Sequence, residues 1–158
     1  MTWVHVYVHD QVRSQLVAED IYFPEKGSDA LASDKIGPYL NQYAGQQLET
    51  GAQAEAWADH YIAVHLDEMT GGKTYADLSE EAQANPDDAE LQAQVETVFR
   101  GETLRGLLLN AYAFDTMATF ALVGAIVAYV GAVVMAILAL LGLRHARRVT
   151  AQHPTPVE

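Results

Sequence analysis

The sequence predicts an all-α protein, an acidic helical domain continuous with a C-terminal transmembrane helix. Three observations predict it. Residues 116–143 are a run of 28 without a charged side chain. All but one of the acidic residues lie before that run. No proline interrupts residues 87–143, so one helix can lead from the domain into the membrane.

A bilayer core about 30 Å thick needs roughly 20 apolar helical residues, and residues 120–143 supply them. A soluble helix of that length normally shows a polar face. This one has none. Arg144, Arg147 and Arg148 come immediately after, and basic flanks favour the cytoplasmic side. They are the expected cytoplasmic anchor, with the bulk of the chain on the outer side of a cell membrane. Tyr112 and Phe114 stand where aromatic rings favour the interface. Asp115 is expected at the outer headgroup level, because a bare carboxylate at the membrane centre is costly.

Small residues recur along the run. Gly124 and Ala128 make a small-xxx-small pair, and Gly131 and Ala132 extend it. This is the expected helix-packing face toward another helix or a second copy, since close backbone approach is what small residues supply in lipid. The competing reading is that Ala and Gly are simply common in membrane helices.

Residues 1–115 hold 20 acidic against 6 basic side chains, or −14, and residues 144–158 hold three Arg against Glu158, or +2, which gives the total of −12. Such a domain repels phosphate backbones, so no nucleic-acid partner is expected. Cysteine is absent, which removes disulfides, thiolate metal sites and cysteine nucleophiles.

From the N-terminus, residues 1–9 carry no basic n-region and no long apolar core, so they are not a signal peptide. They read either as the outer end of a transmembrane helix that begins upstream, with Trp3 and Tyr7 at the interface, or as a short strand, from the alternation of Val4, Val6 and Val8. Residues 10–115 form the outer domain. Within it, residues 11–21 are a short helix or an extended arm, residues 23–28 a loop, and residues 34–43 a helix or turn broken at Gly37-Pro38.

Thr50 with Gln53 forms a capping box for a clearer helix. Its buried stripe is Ala54, Trp57, Ala58, Tyr61, Ile62, His65 and Met69, with Trp57 as the anchor. Gly71-Gly72 ends it through a left-handed C-cap. Thr74 or Ser79 is the candidate cap of the next segment. The last helix is expected to open at Asn85-Pro86, with Asp87, Asp88 and Glu90 at its positive end. Leu91, Val95, Val98 and Phe99 make its apolar side. Gly101 and Gly106 are its weakest points, each costing about 1 kcal/mol relative to Ala. The tail from Val149, with Pro154 and Pro156, is expected to be disordered.

Four segments carry a resemblance: Val17-Ala18-Glu19-Asp20-Ile21, Tyr43-Ala44-Gly45-Gln46, Gly71-Gly72-Lys73-Thr74-Tyr75-Ala76-Asp77-Leu78, and Phe99-Arg100-Gly101-Glu102-Thr103-Leu104-Arg105-Gly106-Leu107-Leu108. In this order they resemble a group of uncharacterised actinobacterial small membrane proteins, over roughly residues 10–143. The resemblance implies two transmembrane helices flanking an extracytoplasmic helical domain, and this chain departs from it by lacking the first helix. Some similar proteins carry an aromatic ring-opening dioxygenase label. The residues do not support it, because a non-haem iron site needs two His and a carboxylate and no compact motif of that kind appears.

Other chemistry is thin. His5 and His9 are four apart, so a helix would put both rings on one face, as in some metal sites. A strand would also bring the two rings together, and a mobile terminus is the plainer reading. His60 and His65 diverge by about 140° on a helix and read as one exposed residue and one on the packed stripe. Carboxylates 67, 68, 87, 88 and 90 fit helix ends. No phosphate loop, nucleophile elbow or zinc-protease motif occurs. Arg100, Glu102 and Arg105 read as interfacial anchors of the last helix or as polar contacts to a partner. No catalytic residue, metal or cofactor is assigned. The expected role is a non-catalytic structural or accessory protein binding another envelope protein. The alternatives are a subunit of a larger membrane complex, such as a respiratory assembly, and a metal- or ligand-binding enzyme.

Overall fold

The computed structural model describes residues 2–152 and is all-helical. α1 spans Thr2–Ala18. A left-handed Asp20 (φ 52°) turns the chain out of it, a conformation Asp tolerates better than most residues. Residues 21–48 wrap the domain through two short 3-10 turns, Asp29–Leu31 and Asn41–Tyr43, with α2 (Gly37–Leu40) between them. One isolated antiparallel bridge, Tyr22 with Gln47, closes this excursion, with Phe23 N bonded to Gln46 O and Leu48 N to Ile21 O, both at 2.9 Å.

α3 (Gly51–Trp57) runs through a π-helical turn (Ala58–Ile62) into α4 (Ala63–Thr70). The Thr50–Gln53 capping box is present in full, and the helix ends on left-handed Gly71 (φ 62°) and Gly72 (φ 84°), as the residue types require. α5 (Tyr75–Ala84) has a second capping box, Thr74 with Asp77. The side-chain and backbone bonds from Thr74 lower the Asp77 pKa below its ordinary value. α6 (Ala89–Gln152) is one helix of 64 residues, about 96 Å long at 1.5 Å per residue.

The core gathers Val12 and Leu16 of α1, Phe23, Leu31, Ile36, Leu40 and Leu48 of the wrapping segment, Ala54 and Ala56 of α3, Ala58 of the π turn, and Leu108 of α6. Leu40 and Leu48 are fully enclosed, and each such leucine contributes about 1.5–3 kcal/mol by leaving water. α5 joins the upper part of α6 through Leu78, Ala82 and Val98. Gly101 is a close approach: a Cβ there would lie 2.7 Å from a methyl of Leu66 on α4.

Residues 2–18 take the helical one of the readings left open for them, because Val12 and Leu16 dock on α6 and that packing outweighs the strand propensity of the valines. Several other expectations are corrected. Gly37-Pro38 opens a helix instead of breaking one. α6 is capped by Asp88, whose Oδ1 accepts from Leu91 N at 3.0 Å, while Asn85 stays bonded to Glu81 O and closes α5. His65 and Met69 are exposed. The π turn inserts an extra residue per turn, and the stripe beyond it rotates off the core. For the same reason the two histidines exchange roles: His60 stacks on Tyr39 at 3.6 Å, while the exposed His65 ring bonds Tyr61 O. Phe99 is half exposed against Tyr75. Residues 149–152 continue α6; the rest of the expected disordered tail lies outside the described residues.

Candidate membrane and partner interface

α1 and α6 run antiparallel, and polar contacts fix their register. His5 Nδ1 lies 3.1 Å from Ala118 O. A carbonyl only accepts, so this nitrogen donates. His9 Nδ1 lies 2.7 Å from Asp115 Oδ1, within ion-pair distance although the oxygen makes no aligned hydrogen bond. The His5 and His9 rings meet edge to face at 4.4 Å. The pairing of these rings on one helix face follows the sequence expectation, yet their partners are a backbone carbonyl and one carboxylate. Among the described residues no group of three or more His, Asp or Glu is arranged to hold a metal ion.

Asp115 also closes the floor of the domain. Gly51 opens α3 directly against it, and a Cβ at Gly51 would sit 2.5 Å from the Asp115 Cβ. Below this plane α6 leaves the domain. Residues 126–148 are exposed throughout, and the most apolar stretch is not buried against any of the described residues. The helix is long and apolar enough to cross a membrane. From Asp115 to Arg144 the rise is about 44 Å of helix, which matches a bilayer with its headgroups. Arg144, Arg147 and Arg148 sit exposed at the far end.

The expected packing face is unoccupied among the described residues. Gly124, Ala128, Gly131 and Ala132 are exposed, and a Cβ on either glycine would meet nothing within 4 Å. A second small-residue row lies outside that expectation. Ala111, Ala118 and Ala125 recur every seven residues; Ala118 and Ala125 are buried, and Ala111 packs against the core. α1 seats along Ala111 and Ala118 of this row, and Ala132 and Ala139 repeat the spacing along the exposed part. The seven-residue repeat is a readable signal for it.

Arg105 is engaged inside the domain. Its guanidinium reaches Asp59 in the π turn at 2.8 Å and Glu102 at 3.5 Å. The Asp59 hydrogen bond, opposed by burial, raises its pKa above the ordinary arginine value. Arg100 pairs with Glu96 on the exposed face of α6. These residues lie about 22–30 Å along the helix from Phe120. Glu102 and Arg105 therefore stand beside the α4–α6 seam, Arg100 faces outward, and all three lie well above the apolar run.

An aromatic ladder of Phe23, Trp57, Tyr61 and His65 crosses the other side of α3 and α4, with successive ring centroids 5.1, 4.1 and 4.4 Å apart. Comparison with family models, curated proteins and solved structures finds no match.

Proposed function

We propose that the chain is a non-catalytic, membrane-anchored structural or accessory protein that holds its acidic helical domain outside the cell membrane and binds another envelope protein there. The observation that carries this reading is α6 itself. The same helix that supplies Leu108 and Val98 to the domain runs on as an exposed apolar rod ending in three arginines. A rigid connection of this kind fixes the domain's height and orientation above a bilayer, which suits a scaffold better than a freely tethered module. The resemblance to actinobacterial proteins with an extracytoplasmic helical domain points the same way.

The reading as a subunit of a larger membrane complex is favoured by one observation of its own. The face of Gly124, Ala128, Gly131 and Ala132 lies open along the apolar rod and can accept a neighbouring helix at close range. Photocrosslinking from within residues 120–143 in native membranes tests both. A discrete adduct is expected, weakened by Gly124→Ile with Ala128→Ile. An adduct unaffected by the double change excludes this face as the contact, and no adduct at all argues against a helix-bound partner.

A further inference from the structure

We infer that the first two turns of α1 are immersed in the outer headgroup–acyl boundary of the bilayer, so that the membrane holds this protein by an aromatic collar as well as by the spanning helix. The inference rests on the membrane-anchor reading above. It concerns a surface the spanning helix does not include.

The collar is Trp3, Val4, Val6 and Tyr7. They are between 50% and 74% exposed, an unusual burden of bare apolar surface on one short segment. Trp3 stacks on Tyr7 with ring centroids 5.7 Å apart, on the side of α1 turned away from α6. No Asp, Glu, Lys or Arg occurs from Trp3 to Val8. The character of α1 then changes within one residue: His9, Asp10, Gln11, Arg13, Ser14 and Gln15 come next, with Val12 alone among them apolar.

The change falls at one level of the molecule. His9 meets Asp115, and Asp115 is the last charged residue of α6 before the apolar run. The charged residues of both segments that stand nearest the apolar side, Asp10 on α1 and Asp115 on α6, thus lie close to one plane, and no charged side chain occurs beyond it on α1 from Trp3 to Val8 or on α6 from Thr116 to Leu143, which is what a water–lipid boundary requires of every element crossing it. The register sets the depth. His5 lies beside Ala118, so Trp3, two residues nearer the N-terminus of an antiparallel helix, stands level with about residue 120. That is the first turn of the span and about 9 Å below the His9–Asp115 plane, the zone where Trp and Tyr partition with the ring in lipid and the polar atom at the headgroups. A domain simply perched on a spanning helix would leave these rings in water.

The full chain carries two tryptophans, Trp3 and Trp57, which makes the test direct. The wild-type chain and Trp3→Phe are reconstituted in phosphatidylcholine vesicles whose acyl chains are brominated either near the headgroup or near the chain end. Trp57 lies between Phe23 and Tyr61 above the plane and is shielded from lipid. Wild-type emission should therefore fall in brominated vesicles, more for the upper bromines, and Trp3→Phe should lose that quenching altogether. Moving the probe by Tyr7→Trp in the Trp3→Phe background should restore it, which guards against a folding defect in the single variant. Vesicle flotation separates the two claims. A chain that floats while Trp3 stays unquenched overturns the collar alone. Blue-shifted but unquenched Trp3 would mean that protein, not lipid, covers the face, and overturns it equally. A chain that does not float overturns the anchor reading and the collar with it.

Discussion

Replacing Trp57 with Ala tests the domain's packing most sharply. Trp57 is half-buried, stacked on Tyr61 at 4.1 Å and edge-on to Phe23 at 5.1 Å. A fully buried Trp→Ala change costs about 3–5 kcal/mol. Partial exposure reduces the transfer part by about half, while the two ring contacts add about 0.5–1.5 kcal/mol each. Together they set an expected loss of about 2.5–5.5 kcal/mol, a large share of the roughly 5–15 kcal/mol that holds a domain. Urea unfolding of the full chain in detergent, followed by far-UV circular dichroism, reads it as a lower midpoint at unchanged slope. Leu40→Ala, at a fully enclosed site, should cost about 2–5 kcal/mol by the cavity argument and serves as the reference. A Trp57→Ala loss under about 0.5 kcal/mol beside a normal Leu40→Ala loss would refute the packing role and make the exposed edge of Trp57 a partner contact.

Gly51→Ala should destabilise by about 1–3 kcal/mol, since its Cβ must displace the Asp115 side chain, and a melting temperature equal to the wild type would show that the floor of the domain yields freely. Arg105→Ala should cost only about 0.5–1 kcal/mol, because the Asp59 pair is a third exposed and screened; a double-mutant cycle with Asp59→Ala measures the coupling. The Asp77 carboxyl should titrate below the ordinary aspartate value of 3.8 by carbon-13 NMR. A depressed folded pKa places its support of the α5 cap above the unfolded value and removes it as pH falls through the folded one. The midpoint of fraying at Tyr75 should therefore lie below pH 3.8, and a midpoint at or above that value contradicts the cap.

The parts of the fold legible in the sequence are those set by local chemistry. Thr50–Gln53, Gly71-Gly72 and the uncharged run each depend on neighbours within a few positions. The parts that are not legible depend on contacts distant in the chain. Residues 2–18 carry strand-forming valines and become helical on α6, with His5 and Ala118 separated by 113 positions. The π turn at Ala58–Ile62 has no composition signal, yet it shifts the phase of every residue after it, and so a regular helical stripe puts Met69 on the wrong face. Nearness to the apolar run suggests an interfacial Arg105, whereas its partner is Asp59, 46 positions away. The alanine repeat at 111, 118 and 125 is visible in the sequence but masked by the denser small residues around Gly124.

Topology is the claim on which the proposed function turns, and the absence of native cysteine makes its measurement clean. Single cysteines are introduced as Glu90→Cys, exposed at the start of α6, and His145→Cys, exposed beyond the span. Intact cells are then treated with a membrane-impermeant maleimide. The Glu90→Cys chain should be labelled from outside, and the His145→Cys chain only after the membrane is permeabilised. Labelling of His145→Cys in intact cells, with Glu90→Cys protected, would contradict an outer domain held by a C-terminus-inside helix.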